Sequence, residues 1–363
     1  MGWQRCSAGR KQDVQPSVTA EKNDPFVPRL LSAMAQAGAG PRGQGPLSLV
    51  HSRVTARSRL YFLGDGRHLP ELVAKVPITD APSEHPPLDA AAQYEALRRS
   101  HGWFQGDDRH AVAEPVACLA DMGAFVMRHA AGPTVAGALS AAPRDPTAAL
   151  RAARAAGDFL RRFHDHGAAG YAEIGLQDLV RELERDAAEV LSPLRRSLPP
   201  AVVAAIRRTP RAWLSARRVV RHGDYVGANL IVTGPAGVTM IDPAMSDVGL
   251  PEDDAARFVA HLAATSAFVP GVVWPPLARL RRRLQEAFLA GYGPLPNPPE
   301  VFYLRLLRQH ALRWARRTEL MMARRHGPRM PVQRLVNDWH MQGLLHEAGG
   351  RLSHSLRGGG QGA

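Results

Sequence analysis

Cysteine is nearly absent from this 363-residue chain: there are two, Cys6 and Cys118, far apart. Such a pair builds no disulfide framework and suits a reducing cytoplasm, which is the expected location. Long apolar runs are missing too, since none approaches the roughly 18 residues that a membrane-spanning helix requires. The N-terminus mixes Arg, Lys, Asp and Glu without a continuous apolar stretch, so no secretory signal is expected. Aromatic residues reach only 6% and no nucleic-acid-binding motif is visible, which disfavours DNA or RNA as a partner. Lysine is the scarce cation: of 46 basic residues only Lys11, Lys22 and Lys75 are Lys, and the rest are Arg. The resulting net charge of +13 attracts anions such as nucleotides and repels polycations. What is there, 45% hydrophobic and 22% charged residues, is a globular composition in a chain long enough for two lobes.

Residues able to do chemistry concentrate between 219 and 243. Val219 and Val220 read as a short buried strand, and the polar loop after them carries His222, Gly223, Asp224 and Asn229. Two apolar runs, 230–233 and 238–241, flank Gly234-Pro235-Ala236-Gly237 as a hairpin. A four-residue turn would set Leu230 against Ile241 and Asn229 against Asp242, about 5 Å apart at Cα. An amide and a carboxylate so placed, with Asp224 arriving just before them, are hard oxygen ligands. They suit Mg²⁺, which takes one or two carboxylates and fills its remaining positions with water and phosphate oxygens. With only four Asn in the chain, composition alone rarely produces this grouping. The plainer alternative is an Asx-type turn around a buried His.

His222-Gly223-Asp224, then Asn229, then Ile241-Asp242 resemble the catalytic core of the aminoglycoside phosphotransferase and choline kinase-like enzymes, relatives of the protein kinases. The resemblance implies an α+β, bilobal protein-kinase-like fold with a small antiparallel-sheet N-lobe and a larger helical C-lobe. It implies ATP or GTP as phosphoryl donor and a small-molecule hydroxyl as acceptor. Asp224 would be the catalytic base, with Asn229 and Asp242 as Mg²⁺ ligands. Lys75, in Leu72-Val73-Ala74-Lys75-Val76, matches the strand lysine that holds the nucleotide phosphates, and Glu95 is its candidate ion-pair partner. The stretch Ala124 to Ala130 resembles the hinge between lobes, where backbone groups around Met127 and His129 would meet the adenine edge. In that family an Asp near the start of the following helix braces the catalytic loop, and Asp254 is the candidate. Plainer readings exist for each: a solvated Lys75, a Glu95 paired to Arg98 or Arg99 on its own helix, and an Asp254 that merely suits a helix N-terminus. One part is missing, because the turn over 51–58 contains no Gly and so forms no Gly-rich phosphate lid. That absence leaves a nucleotide-binding pseudokinase or scaffold without turnover as the alternative function.

The pattern divides the chain into a disordered segment 1–45 with a short helix near 28–37, an N-lobe 46–130, a C-lobe 131–348 and a flexible tail 349–363. Strands are expected over 47–51, 59–63 and 71–76, and helices over 89–101, 147–166, 176–191, 201–214, 277–292, 301–326 and 332–346. Asp89 is a candidate N-cap, Gly167 a helix stop, and His164 a packed rather than catalytic histidine. Leu304, Leu307, Ala311, Trp314 and Met321 share one face of the long helix, with Arg305, Arg308, Arg313, Arg316, Arg317, Arg324 and Arg325 over the rest. Leu335, Val336, Trp339, Leu344 and Leu345 are the expected core of the last helix. This Arg-rich region lies where the family builds its acceptor site. A neutral or anionic acceptor, such as a sugar, sugar phosphate or glycolipid head group, is therefore favoured over a polycationic aminoglycoside. A basic amphipathic helix also suits an anionic membrane surface, or plain solvation.

Overall fold

The structure is a computed structural model that describes residues 24–40, 46–55, 57–65, 69–78, 89–245, 247–323 and 330–358. In chain order its elements are α1 (Phe26–Gln36), β1 (Ser48–Val54), β2 (Ser58–Gly64), β3 (Leu72–Pro77), α2 (Ala90–Trp103), β4 (Ala111–Val112), β5 (Pro115–Leu119), β6 (Ala124–Arg128), α3 (Val135–Ser140), α4 (Pro146–His166) and β7 (Ala168–Gly175). Then follow α5 (Leu176–Leu191), α6 (Pro200–Arg207), β8 (Trp213–Val220), β9 (Leu230–Val232), β10 (Val238–Met240), β11 (Val248–Gly249), α7 (Pro251–Ala263), α8 (Pro275–Tyr292), α9 (Pro299–Ala323) and α10 (Met330–Gly358). Contacts divide the chain into two compact units, Met1–Glu95 with Glu114–His129, and Ala96–Ala113 with Ala130–Ala363. The stretch Ala96–Ala113, expected in the N-lobe, thus packs with the helical unit. No single helix among the described residues is long and apolar enough to cross a membrane.

The first unit is an antiparallel sheet in the order β1-β2-β3-β6-β5. Alternation along the strands puts Tyr61, Leu63, Leu72, Ala74, Ala117, Leu119, Ala124 and Val126 on one buried face, and α1 covers it with Leu30 and Met34. Residues 26–36 are therefore core, not part of a disordered segment, whereas 1–23 and 41–45 lie outside the described residues. Asp24 secures this helix by accepting from Phe26 N at 2.9 Å and from the Tyr61 hydroxyl at 2.9 Å. The Gly-free turn after β1 closes through Thr55 Oγ1, which accepts from the backbone N–H of Ser58 at 2.9 Å. The Pro-rich loop 81–88 and part of the turn after Gly64 fall outside the described residues.

In the second unit α4 runs through the core. Asp145 caps it by accepting from Ala148 N at 2.9 Å, Pro146 opens it, and Gly167 ends it. Gly157 and Gly291 let α4 and α8 touch backbone to backbone: a Cβ on Gly157 would lie 2.0 Å from the Phe288 carbonyl oxygen. The helix expected over 201–214 stops at Arg207, because Pro210 lacks an N–H and biases Thr209 toward extended backbone. Residues 213–220 instead form the eight-residue strand β8, flanked by β7 and β11 in a sheet absent from the sequence reading.

Three further expectations fail for packing reasons. The face of α10 that turns inward carries Asn337, His340, Met341, Leu344, Leu345, Ala348 and Leu352, so Leu335 and Trp339 stand 52% and 53% exposed. Burial of Ala348 and Leu352 also carries the helix through Gly349 and Gly350 to Gly358, where a flexible tail was expected. On α9, Arg305 and Arg308 are not solvated. Arg305 pairs with Glu182 at 2.5 Å and Asp253 at 3.0 Å, and Arg308 with Asp186 at 2.6 Å. The end expected for that helix, including Arg324 and Arg325, is outside the described residues.

Candidate active site

In the sheet unit, Lys75 pairs across the ladder with Phe125 of β6, which pairs in turn with Cys118 of β5. Cross-strand partners share a face, so these three form one row, and Met127 lies on the same face opposite Val73. This is the face opposite the α1 core. Lys75 is only 7% exposed, with its ammonium 5.8 Å from the centre of the Phe125 ring. Glu95 is an exposed residue of α2, and it approaches this row: burial first, then the charges of Glu95 and Asp89, raise the free thiol of Cys118. At the end of β6 the His129 N–H donates to the Glu71 carbonyl at 2.8 Å, and burial lowers the pKa of its imidazole.

In the helical unit β8 delivers the loop His222–Asp224, and α7 holds it. The Asp254 carboxylate accepts from the backbone N–H of His222 at 2.7 Å and of Gly223 at 3.0 Å, so the expected brace is present. The same carboxylate meets His164 Nε2 at 3.1 Å, and His164 Nδ1 meets the Tyr292 hydroxyl at 2.9 Å. His164 is fully buried and structural, as the sequence suggested. Burial alone would raise Asp254, but the hydrogen bond and charge of His164, and the charge and N–H of His222, outweigh it and bring the carboxyl down to about 2. Gly223 has φ of 83°, a left-handed conformation costly to any residue with a Cβ.

Asp224 stands beyond this clamp with a carboxylate 32% exposed. Asn229 donates its side-chain N–H to the Asp224 backbone carbonyl at 3.0 Å, which fixes the amide and leaves its Oδ1 free to accept. Asp242 is half-buried at the end of β10, and its charge, with those of Asp254 and Asp224, acts on the His222 ring. Burial nonetheless dominates and lowers His222, and its Nδ1 accepts from Asp224 N at 3.3 Å, as a neutral ring can. The loop after Asp242 is tied back as well, by Met245 N to the His222 carbonyl at 3.2 Å and Arg221 N to the Asp247 carbonyl at 2.9 Å.

The hairpin register differs from the expected one by a residue. Leu230 faces Met240, and the Ile241 N–H donates to the Asn229 carbonyl at 3.1 Å. Thr233 N closes on the Gly237 carbonyl, so the loop spans three residues, and two fully buried side chains, Leu230 and Met240, share the inner face. Asn229 and Asp242 are consequently offset by one position instead of standing directly opposite. No three His, Cys, Asp or Glu side chains cluster at metal-binding spacing among the described residues. One amide oxygen and one carboxylate fit Mg²⁺ presented with a phosphate, and do not fit a self-contained Zn²⁺ or Ca²⁺ cage.

One residue of this site escaped the sequence reading. Arg257 lies one turn beyond Asp254 on α7, is 9% exposed, and brings Nη1 to 3.4 Å from Asp224 Oδ1. The signal was available: i, i+3 spacing from the brace puts it on the same helix face.

Comparison with known proteins gives a consistent result. The Phosphotransferase enzyme family matches residues 53–304. A glucosamine kinase structure superposes with a TM-score of 0.51 at 19% identity, covering 89% of this chain and 81% of that one. A candidate aminoglycoside phosphotransferase from Ralstonia eutropha gives a TM-score of 0.54 at 15% identity, over 89% and 97% of the two chains. A glucosamine kinase bound to glucosamine, ADP and inorganic phosphate gives 0.52 at 16%, over 90% and 84%. The comparison with curated protein sequences gave no match. At these identities the structures speak for the fold, an α+β protein-kinase-like fold with a small antiparallel sheet unit and a larger helical one.

Proposed function

Because the chain belongs to the phosphotransferase enzyme family, we propose that it transfers the γ-phosphoryl group of ATP to a hydroxyl of a small molecule. The observation that carries this reading is the clamp on the catalytic loop. Two backbone N–H groups held by Asp254 and one carbonyl held by Asn229 leave the Asp224 carboxylate rigidly based and partly exposed. Asp224 takes the acceptor's hydroxyl proton as the oxygen bonds to phosphorus. The bond from the γ-phosphorus to the bridging oxygen breaks, and ADP leaves with that electron pair. The transition state is loose, so positioning and charge neutralisation supply most of the catalysis. Mg²⁺, held by Asn229 Oδ1 and Asp242, would supply charge neutralisation at the phosphate oxygens.

In the sheet unit Lys75 would hold the phosphates, with Glu95 orienting it and the backbone near Met127 and His129 meeting the adenine. The acceptor is neutral or anionic, a sugar or glycolipid head group before an aminoglycoside, which the surplus of Arg supports. A nucleotide-binding scaffold without turnover is the second reading, favoured by the Gly-free turn of β1 and β2. Asp224→Ala separates the two: transfer of labelled phosphate from ATP disappears while nucleotide binding persists. Turnover that survives Asp224→Ala, or a parent protein that binds ATP and never turns it over with any acceptor, refutes the enzyme reading.

A further inference from the structure

The sheet face that carries Lys75 extends beyond the residues already placed on it. Lys75 of β3 pairs with Leu60 of β2, and Leu60 pairs with Arg53 of β1. Arg53, Leu60, Lys75, Phe125 and Cys118 therefore stand in one row across the sheet. The next row on the same face, two residues along each strand and nearer His129, is His51, Phe62, Val73 and Met127. The two rows differ in chemistry. The second is largely apolar, with the His51 and Phe62 rings stacked at 4.2 Å and His129 edge-on to Phe62 at 5.8 Å. The first carries the cations Arg53 and Lys75, two strands and so roughly 10 Å apart at Cα. An apolar row beside a cationic one suits a nucleotide with its base along the Phe62 row and its phosphates along the other.

The turn between β1 and β2 is closed to phosphate. A Gly-rich lid works by aiming unpaired backbone N–H groups at phosphate oxygens. Here Thr55 N donates to the Ser58 carbonyl at 2.8 Å, and the N–H groups of Arg57 and Ser58 both donate to Thr55 Oγ1, at 3.2 and 2.9 Å. Every described N–H of the turn is thereby spent inside it, and side chains are what this edge of the sheet has left to offer. Arg53 is exposed, and its guanidinium makes no ion pair or hydrogen bond among the described residues. Its planar fork can take two phosphate oxygens at once, where a Lys offers a point charge.

We propose that Arg53 is a donor-binding residue that takes over the phosphate contacts of the absent Gly-rich lid and holds the α- and β-phosphates of ATP together with Lys75. This rests on the phosphotransferase reading for the identity of the donor. ADP and adenosine are each titrated calorimetrically into the parent and three variants. Arg53→Gln should weaken ADP about tenfold or more and leave adenosine unchanged, since only ADP carries phosphates. Arg53→Lys should recover part of the loss. Arg59→Gln, which removes the same charge from the opposite face of the sheet, should bind both as the parent does. Because Arg53 is exposed, Arg53→Gln should melt with the parent. In turnover it should raise KM for ATP rather than lower kcat.

The proposal fails if Arg53→Gln binds ADP as well as the parent, if it loses adenosine as strongly as ADP, or if Arg59→Gln weakens ADP equally. A parent whose ATP turnover depends on Asp224, with ADP binding indifferent to Arg53→Gln, keeps the phosphotransferase reading and loses this proposal alone. A parent that binds no ADP loses both. A protein that needs Arg53 for ADP but whose ATP turnover is indifferent to Asp224→Ala keeps its phosphate site and loses the phosphotransferase reading.

Discussion

Asp254→Asn removes one charge and almost no volume from the point that fixes the loop His222–Asp224. The parent carboxyl sits at about 2 in the fold against an ordinary 3.8. A folded value below the unfolded one means that the ionised form stabilises the fold. That contribution is complete above about pH 4 and is lost as the pH falls through 2. The gap between 3.8 and about 2 corresponds to about 2 kcal/mol at pH 7, and about half of it remains at pH 3. Urea unfolding followed by tryptophan fluorescence should therefore give Asp254→Asn a deficit that is about 1 kcal/mol larger at pH 7 than at pH 3. Activity should fall further than stability, by about 100-fold in kcat, because the amide cannot accept from both N–H groups and the loop shifts. An equal deficit at both pH values would show that Asp254 acts by shape and not by charge, and would refute the account of the clamp.

Glu252, buried against Asn297, shows the opposite sign. Burial raises it to about 7, so its stability cost accrues from about pH 4.5 upward and is complete above 7. Glu252→Gln should raise Tm at pH 8 and leave it unchanged at pH 4. Gly157→Ala should cost about 1–3 kcal/mol in chemical denaturation, because its Cβ meets the Phe288 carbonyl. Gly343→Ala, in open space on α10, should gain up to about 1 kcal/mol; a neutral Gly157→Ala would mean that α4 and α8 are not in backbone contact.

The local signals that could be read were those set by the chain's own neighbours. Asp89 accepts from the N–H three residues on, and the strand around Lys75 and the helix from Pro146 to His166 fall where apolar spacing put them. The proximity of Asp224 and Asn229 was legible for the same reason, since they are five residues apart and joined by one hydrogen bond. What was not legible depended on distant partners. The strand β7 has no strong alternation, and exists because β8, 38 to 51 positions further along the chain, pairs with it. Arg305 and Arg308 looked solvated because their carboxylates, Glu182 and Asp186, lie some 120 residues away. The hairpin register turned on which face was buried, a quantity that a four-residue turn rule does not contain.

The acidic start of α7 illustrates why a helix-terminus rule is an incomplete explanation. Three consecutive acids, Glu252, Asp253 and Asp254, satisfy the macrodipole, yet exposed carboxylates would do that as well, and these are 0%, 6% and 1% exposed. Burying three carboxyls in one turn is unfavourable unless each finds its own partner. Each does: Glu252 holds the Asn297 amide, Asp253 pairs with Arg221 and Arg305, and Asp254 takes the loop N–H groups and His164. Arg221 immediately precedes His222, so Asp253 and Asp254 grip adjacent residues of one loop from one turn of one helix. Their effects should therefore not add. Loss of Asp253 leaves Arg221 and Arg305 without their shared carboxylate and moves the strand end that Asp254 also holds, so the double variant should cost less than the two single ones together.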